Sequence, residues 1–382
     1  MKMEYNASEL AAILALLEVK GLGPVKFKLI YEKLGSFSRI FDISKQQLKN
    51  EFKFQDKYLF NIDIEIINDL KNNTISENLK KSFKNKGYSL SDEAKILAID
   101  SKEWKIIEAE KEYIVVKKST EKLSIFQNIV QGIFYQKKYL SNFYKKAEEQ
   151  IKVANQLNAN IISFCDDEYP SNLYRSNHSV PLLYVIGDLS VLKNEKCCAV
   201  VGTRKPLKWT IEETKRAVKK LSGEGFIIVS GLAIGTDEIA HTTALENGGK
   251  TIAVLGCGVD ISYPPKNSTL KKKIEENGVV ASEYPFETKV KEFRLKRRNK
   301  ITVGLSKFVL ITQTSEKGGT MNAYKAAVEQ KKTVGVFYPL KSSKKRFGGN
   351  LRILEERKIP VRKFTRGHTV DFGGDYYQSL PF

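Results

Sequence analysis

Four turns in the second half of the chain combine glycine with small polar or cationic residues. They are Gly202-Thr203-Arg204, Ser230-Gly231 running on to Gly235-Thr236-Asp237, Gly256-Cys257-Gly258 running on to Lys266-Asn267, and Lys317-Gly318-Gly319-Thr320. Glycine lets a backbone approach an anion closely, and a helix starting just beyond it offers unpaired N–H donors and the positive end of its dipole. One such turn means little, because strand-to-helix turns need glycine on conformational grounds alone. Four of them, with Arg204, Lys266 and Lys317 alongside, favour a ligand that carries phosphate. A further segment adds charge: Arg294, Lys296, Arg297, Arg298 and Lys300 crowd the residues after Phe293, with Asn299 among them. A charge run is most often a solvated face. This one precedes an apolar helical stretch, Ile301 to Ser306, that would pack toward the next strand and hold the arginines at the ligand edge, which favours phosphate contact.

Covalent or metal chemistry has little to draw on. Asp237 and His241 stand at i and i+4, on one face of any helix there. The chain holds only 3 His, however, and neither a second His nor any of Cys165, Cys197, Cys198 and Cys257 has ligand spacing to His241. The two read as a hydrogen-bonded structural pair, with Asp237 also suited to a helix start. The cysteines lack CxxC spacing, and Cys197-Cys198 open an apolar run in which Cys is a small hydrophobe. Neither G-x-G-x-x-G followed by an acid nor G-x-x-x-x-G-K-S/T is present, which disfavours a nicotinamide dinucleotide and a P-loop nucleotide. The expectation is a binding protein, not an enzyme, with no catalytic residue, cofactor or metal.

The elements that must position these residues follow from the apolar pattern. Runs recur at Ile161–Phe164, Leu183–Ile186, Cys198–Val201, Phe226–Val229, Thr251–Leu255, Val279–Ala281, Phe308–Ile311 and Thr333–Phe337. Helical stretches separate the later ones: one opening on a capping box, Thr210-x-x-Glu213, one over Asp237–Glu246, and one after Asn267. Unbroken apolar strands alternating with helices imply an α/β fold whose parallel sheet is covered on both faces, with ligands at the strands' carboxyl ends. Upstream, Leu14 to Leu34 reads as two helices joined by the Gly21-Leu22-Gly23 turn, a helix-hairpin-helix or a plain αα-hairpin. Residues 86–145 read as a β-rich insertion (Ile96–Ile99, Trp104–Ile107, Tyr113–Val116, Leu123–Phe126) that turns helical. The division expected is 1–85 helical, 86–145 insertion, 146–365 α/β domain and 366–382 tail.

The formal charge is +20, with 64 Lys and Arg against 44 Asp and Glu, and suits a polyanion partner. Abundant Lys, Ile and Asn throughout also fit an AT-rich coding bias, so charge alone does not decide for nucleic-acid binding. No apolar run approaches the ~20 residues that span a bilayer, and Glu4 and Glu9 interrupt the start where a signal peptide would be apolar. A cytoplasmic protein with no membrane partner is expected.

An ordered set of motifs then carries a resemblance. Asp167-Glu168-Tyr169-Pro170-x-x-Leu173 precedes Pro181-Leu182-Leu183-Tyr184-Val185-x-Gly187-Asp188. Val200-Val201-Gly202-Thr203-Arg204 and Ser230-Gly231-Leu232-Ala233-x-Gly235-Thr236-Asp237-x-x-Ala240-His241 come next. Thr251 to Leu255 continues through Gly256-x-Gly258-x-Asp260-x-x-Tyr263-Pro264-x-x-Asn267. Ser282-Glu283-Tyr284-Pro285, Arg297-x-Asn299-x-Ile301 with Gly304-Leu305-Ser306, and Gly349-Asn350 complete it. Together, over roughly residues 160–360, these resemble the DprA/Smf family of DNA-processing proteins. The resemblance implies an extended Rossmann-like fold, a SAM-like N-terminal domain, homodimers, single-stranded DNA held in a basic pocket with Arg204 as a ligand, and loading of a RecA-type recombinase during DNA uptake. It differs from the family at Ile311-Thr312-Gln313, where V-E-A is usual, at Tyr338-Pro339-Leu340, where proline-glycine is usual, and beyond about residue 365, where a winged-helix domain found in many members is not expected. Nucleotide phosphoribohydrolases of related fold carry a catalytic glutamate after a similar glycine pair, but here Gly318-Gly319-Thr320 continues Met321-Asn322-Ala323. The runner-up reading is a sensor of a nucleotide-derived small molecule or a phage-defence component using the same pocket, since nucleotide and DNA phosphates need the same donors.

Overall fold

In the computed structural model, which describes residues 5–19, 22–44, 59–61, 104–110, 113–118, 133, 135–367 and 370, the chain divides into two units, residues 8–144 and residues 1–7 with 145–382. The first opens with helix α1 (Ala7–Leu17) and helix α2 (Pro24–Leu34). Pro24 stands at the start of α2, where its missing N–H costs nothing, and Gly35, at φ 68°, closes the helix by donating to the Tyr31 carbonyl at 2.7 Å. Gly21, the first residue of the turn read between the helices, lies outside the described residues, as does Lys20 before it. A short 3₁₀ turn, Ser38–Phe41, is tied back to α1 through Glu9, whose carboxylate accepts from the Phe37 and Ser38 amides at 2.8 and 3.2 Å.

The unit also holds an antiparallel sheet of β1 (Leu59–Asn61), β2 (Trp104–Glu110) and β3 (Tyr113–Lys118), with β3 central and Leu59 opposite Val115. Strands expected around Trp104 and Tyr113 are present, with a bulge between Ile106 and Glu108. Leu59–Asn61 falls in the stretch read as helical; pairing with β3, remote in sequence, determines its conformation. The runs Ile96–Ile99 and Leu123–Phe126 lie outside the described residues, as does most of 366–382.

The second unit begins with residues shared by α3 (Leu140–Leu157) and continues in a nine-stranded sheet. Its strands are β4 (Asn160–Ser163), β5 (Leu182–Gly187), β6 (Cys197–Val201), β7 (Ile227–Ser230), β8 (Thr251–Leu255), β9 (Val279–Ser282), β10 (Phe308–Ile311), β11 (Thr333–Phe337) and β12 (Val361–Phe364), in the order β12-β11-β10-β6-β7-β8-β9-β5-β4. From β12 to β9 neighbours run parallel; β5 pairs antiparallel with β9, and β4 antiparallel with β5. The helices are α4 (Ser171–Tyr174), α5 (Leu189–Lys193), α6 (Lys208–Gly223), α7 (Thr236–Glu246), α8 (Ser268–Asn277), α9 (Glu292–Gly304), α10 (Met321–Glu329) and α11 (Gly348–Glu356).

The unbroken apolar runs are explained by burial on both faces. Along β6, Cys198 and Val200 join a core with Ala217 and Leu221 of α6 and Ala240 of α7. Ala199 and Val201 face the other way, against Val303 of α9, Tyr324 of α10 and Ile353 of α11. Two expectations change in detail. Helix α6 starts before Thr210, which is buried and donates to Gln313 Oε1 at 3.2 Å instead of capping; the same oxygen accepts from the Leu207 amide at 2.9 Å, so a neighbouring strand end does the work of a cap. The cationic run belongs to α9 itself rather than preceding a helix, with Arg298, Ile301 and Thr302 on its buried face. Among the described residues no helix is long and apolar enough to cross a membrane.

Candidate functional site

Chain order reverses at β6. The path from β6 steps outward through β7, β8 and β9, then returns as β10 on the other side of β6. Loops leaving β6 and β10 therefore diverge, and a crevice opens between them at the carboxyl ends of the strands. A cavity of about 490 Å³ lies there. Gly202, Thr203 and Arg204 follow β6, Gly231 follows β7, and Thr314 to Thr320 follow β10; α9 covers it with Leu295, Arg298 and Asn299. A larger cavity, about 700 Å³, sits near β5 and α8, where Glu168, Asp188, Glu275 and Glu276 outnumber the cation Lys193 in its lining and disfavour an anion.

The loop bearing Arg204 is fixed from several directions. A Cβ on Gly202 would collide with the hydroxyls of Thr312 and Thr236, so only glycine lets the chain leave β6 this close to its neighbours. The Thr203 amide donates to the Gln313 carbonyl at 2.8 Å, and the Thr203 carbonyl accepts from the Thr236 amide at 3.2 Å and its hydroxyl at 3.1 Å. Gly235, at φ 82°, backs onto the Arg204 carbonyl, where any Cβ would strike it. Arg346 donates to the Lys205 carbonyl at 2.6 Å. Across the crevice, buried Asn350 accepts from the Thr314 amide at 2.7 Å and donates to the Thr312 and Phe337 carbonyls at 3.1 and 3.0 Å. The side chain of Arg204 is exposed and, among the described residues, has no carboxylate partner.

Beneath it lies a buried charge cluster. Arg298 is only 7% exposed, and its guanidinium occupies the space a side chain on Gly231 would need. It donates to the Val254 carbonyl at 2.6 Å and faces Asp237, whose carboxyl accepts from the Ala233 amide at 3.3 Å. Burial pushes the Asp237 carboxyl up against the opposing pull of Arg298, and burial pulls the Arg298 guanidinium down against the pull of Asp237. Asp237 and His241 are not a hydrogen-bonded pair: Asp237 turns to Arg298, and His241 Nδ1 lies 2.6 Å from the hydroxyl of Thr251 on β8. Complete burial, helped by Arg298, lowers the His241 pKa to about 3, so the imidazole is neutral.

The residues singled out in the sequence are thus distributed unevenly. Gly202, Thr203, Arg204, Gly231, Arg298, Asn299, Gly318, Gly319 and Thr320 border the cavity, with Asn299 donating to the Gly319 carbonyl at 3.5 Å. Lys317 is exposed on the same turn. Ser230 is buried and donates to the Val200 carbonyl at 2.6 Å, and Gly235 acts on the Arg204 loop from behind. Arg297 points elsewhere, to buried Glu283 at 3.0 Å. Lys266 is exposed outside the cavity, and Asn267 is buried with its amide on the Leu232 carbonyl at 3.0 Å. The turn after β8 does not open onto the crevice, because Gly256 lies under Arg294 and Leu295 of α9. Gln313 and Asn350 position both loops without having been singled out; the Gly349-Asn350 motif was the available signal for the second.

Residues 160–365, more than half of the chain, match the family model described as DNA recombination-mediator protein A. The chain belongs to this family. Protein Smf of Synechocystis is 35% identical over 204 residues, 53% of this chain and 50% of that protein. DNA processing protein DprA of Streptococcus pneumoniae is 39% identical over 173 residues, 45% of this chain and 60% of that protein. The corresponding Bacillus subtilis protein is 30% identical over 198 residues, 52% of this chain and 67% of that protein. The aligned part thus spans about half to two thirds of these relatives. The X-ray structure of DprA from Streptococcus pneumoniae superposes with a TM-score of 0.55 at 24% identity, covering 81% of this chain and 99% of the other, a likeness of fold. The family match runs from β4 to β12 and so contains the whole crevice.

Proposed function

We propose that the chain binds single-stranded DNA by its sugar-phosphate backbone in the crevice between the ends of β6 and β10, and does no chemistry on it. One observation carries this reading: Arg204, on a loop fixed from several sides, presents a guanidinium with no carboxylate partner among the described residues. A loop already ordered loses little freedom when a ligand arrives, and a guanidinium holds a phosphate through two parallel N–H bonds. Lys317 stands exposed on the turn after β10; Lys296 of α9 also borders the cavity, paired there with Glu292 at 2.7 Å. Backbone contacts position a strand without reading its bases, so little sequence selectivity follows.

The family's description as a DNA recombination mediator supports handling of DNA in recombination, and we extend the reading to DNA taken up by the cell. We extend the proposal to a cytoplasmic homodimer that delivers its strand to a RecA-type recombinase. A second reading rests on the cavity itself, since about 490 Å³ is within the usual range for small-molecule sites and would admit a nucleotide-derived ligand. Titrating a labelled single-stranded oligonucleotide, with duplex and mononucleotides as competitors, separates the two. Tighter binding of the single strand than of either competitor, weakening steeply with salt as counterions are released, is expected. Displacement by mononucleotide at comparable concentration, with a flat salt response, would establish the second reading.

A further inference from the structure

The crevice has a basic extension that neither the motifs nor the cavity includes. Between β11 and α11 the chain forms a 3₁₀ turn, Lys341–Phe347, with Lys344, Lys345 and Arg346 exposed in its last part. Four contacts hold this turn, and the start of α11 just after it, at the carboxyl edge of the sheet. Arg346 donates to the Lys205 carbonyl at 2.6 Å, one residue past Arg204. Phe347, fully buried, stacks on Trp209 of α6 with ring centroids 5.3 Å apart and planes 13° from parallel. The Gly349 amide donates to the Thr314 carbonyl at 3.1 Å, and Gly348 lies so close to Glu316 that a Cβ would crowd it. The turn is therefore seated against both loops that form the crevice, the one after β6 and the one after β10.

Its cations are adjacent and unpaired. Several cations elsewhere on this unit sit in ion pairs: Arg175 with Glu195, Arg216 with Glu213, Lys271 with Glu275, Lys296 with Glu292, Arg297 with Glu283. Among the described residues Lys205, Lys344, Lys345 and Arg346, like Arg204, have no carboxylate partner. Like charges gathered without counterions repel, and a polyanion laid across them removes that repulsion while releasing its own counterions.

Resting on the reading that the crevice holds single-stranded DNA, we infer that Lys344 and Lys345 form a second phosphate station, and that the strand leaves the crevice past Lys205 toward this turn. A strand long enough to reach both stations uses them together; one that fills the crevice alone does not.

The test is anisotropy titration of thymidine oligomers of about 4 and about 16 nucleotides, the range of site sizes that single-strand-binding OB folds occupy, against the unaltered chain, Lys344→Gln/Lys345→Gln and Lys344→Arg/Lys345→Arg. The glutamine pair is expected to weaken the longer oligomer roughly tenfold and the shorter less than about twofold. It should also lower the salt slope for the longer one by about 1.4, two phosphates at ~0.7 each. The arginine pair should restore both. Equal losses on both lengths, or no loss on the longer, would overturn the second station while leaving the crevice reading intact. No binding of either oligomer by the unaltered chain would overturn the crevice reading, and the station with it.

Discussion

The turns after β6 and β8 look alike in the sequence: each leaves a fully buried strand through glycine, and each is followed by a cation, Arg204 or Lys266. In the folded chain they do different work. Gly202 is needed so that the backbone can pass between two threonine hydroxyls and swing Arg204 to the crevice. Gly256 is needed so that α9 can lie against the strand end through Arg294 and Leu295. What separates them is strand order. β6 borders the reversal of the sheet, where the next loop runs the other way and leaves space; β8 sits between β7 and β9, and the helix returning toward β10 crosses above it. A glycine at a strand end therefore marks close approach, and the topology decides whether a ligand or a helix makes the approach.

The largest effect that would break this comparison is on Arg204. Replacing it with alanine should cost about 1.5–3 kcal/mol of single-strand binding, the worth of hydrogen bonds to a charged group, or roughly a ten- to hundredfold loss of affinity. Because the side chain is exposed and the loop is held by its backbone, the melting temperature should barely move. A variant that melts early yet binds normally when folded would make Arg204 a brace, and the turn after β6 no different in kind from the one after β8.

The paired glycines sharpen the point. Gly202→Ala and Gly256→Ala each force a methyl group into occupied space, at a cost of about 1–3 kcal/mol in stability. Only Gly202→Ala should also weaken binding of the folded protein, because of the two turns only that one carries the proposed anion site. Thermal melts and oligonucleotide titration on the same preparations decide it; equal affinity losses would mean that both turns touch the ligand.

The buried cluster under the crevice adds a pH dependence. His241 keeps a pKa near 3 when folded, against about 6.5 when unfolded. Between those values the unfolded chain takes up a proton that the folded chain refuses. This contribution to stability is therefore fully present above about pH 6.5 and is lost as pH falls toward 3, by on the order of 1 kcal/mol per pH unit. Denaturant melts of the protein and of His241→Gln at pH 7 and pH 5 should show a smaller acid loss in the variant. Parallel loss in both would show that His241 is not the group responsible.

Much of this fold was legible in the sequence because burial on both faces leaves a simple mark: uninterrupted apolar runs of strand length. The helix boundaries were less legible where a distant group replaces a local signal, as Gln313 does at the start of α6. The site was legible as a set of turns but not as a crevice, since apolar periodicity carries no information on strand order. Arg298 shows the same limit from the side of charge. Within a run of cations it looked like a solvent-facing ligand, yet helical spacing to Ile301 and Thr302 puts it on the buried face, where it faces Asp237 and closes the floor beneath Gly231. That spacing was readable; its consequence depended on α9 crossing the ends of β7 and β8.

The smallest expected effect concerns Lys266, and it tests the comparison from the other turn. Lys266 is exposed on the 3₁₀ turn Pro265–Asn267, outside the cavity, with no role in holding either crevice loop. Its influence on a strand bound between β6 and β10 would act through solvent, where the Debye length at physiological salt is about 8 Å. Lys266→Ala should accordingly change single-strand affinity by no more than about twofold at ~0.15 M salt, and the difference should vanish as salt rises, because a screened field fades while a direct contact persists in part. The salt slope should stay almost that of the unaltered chain, since no phosphate is released from a contact. A tenfold loss, with the slope reduced by about 0.7, would place a phosphate on Lys266 itself. The strand would then run from the crevice across α9 to the turn after β8, and all four glycine turns would form one continuous track despite the helix that covers one of them.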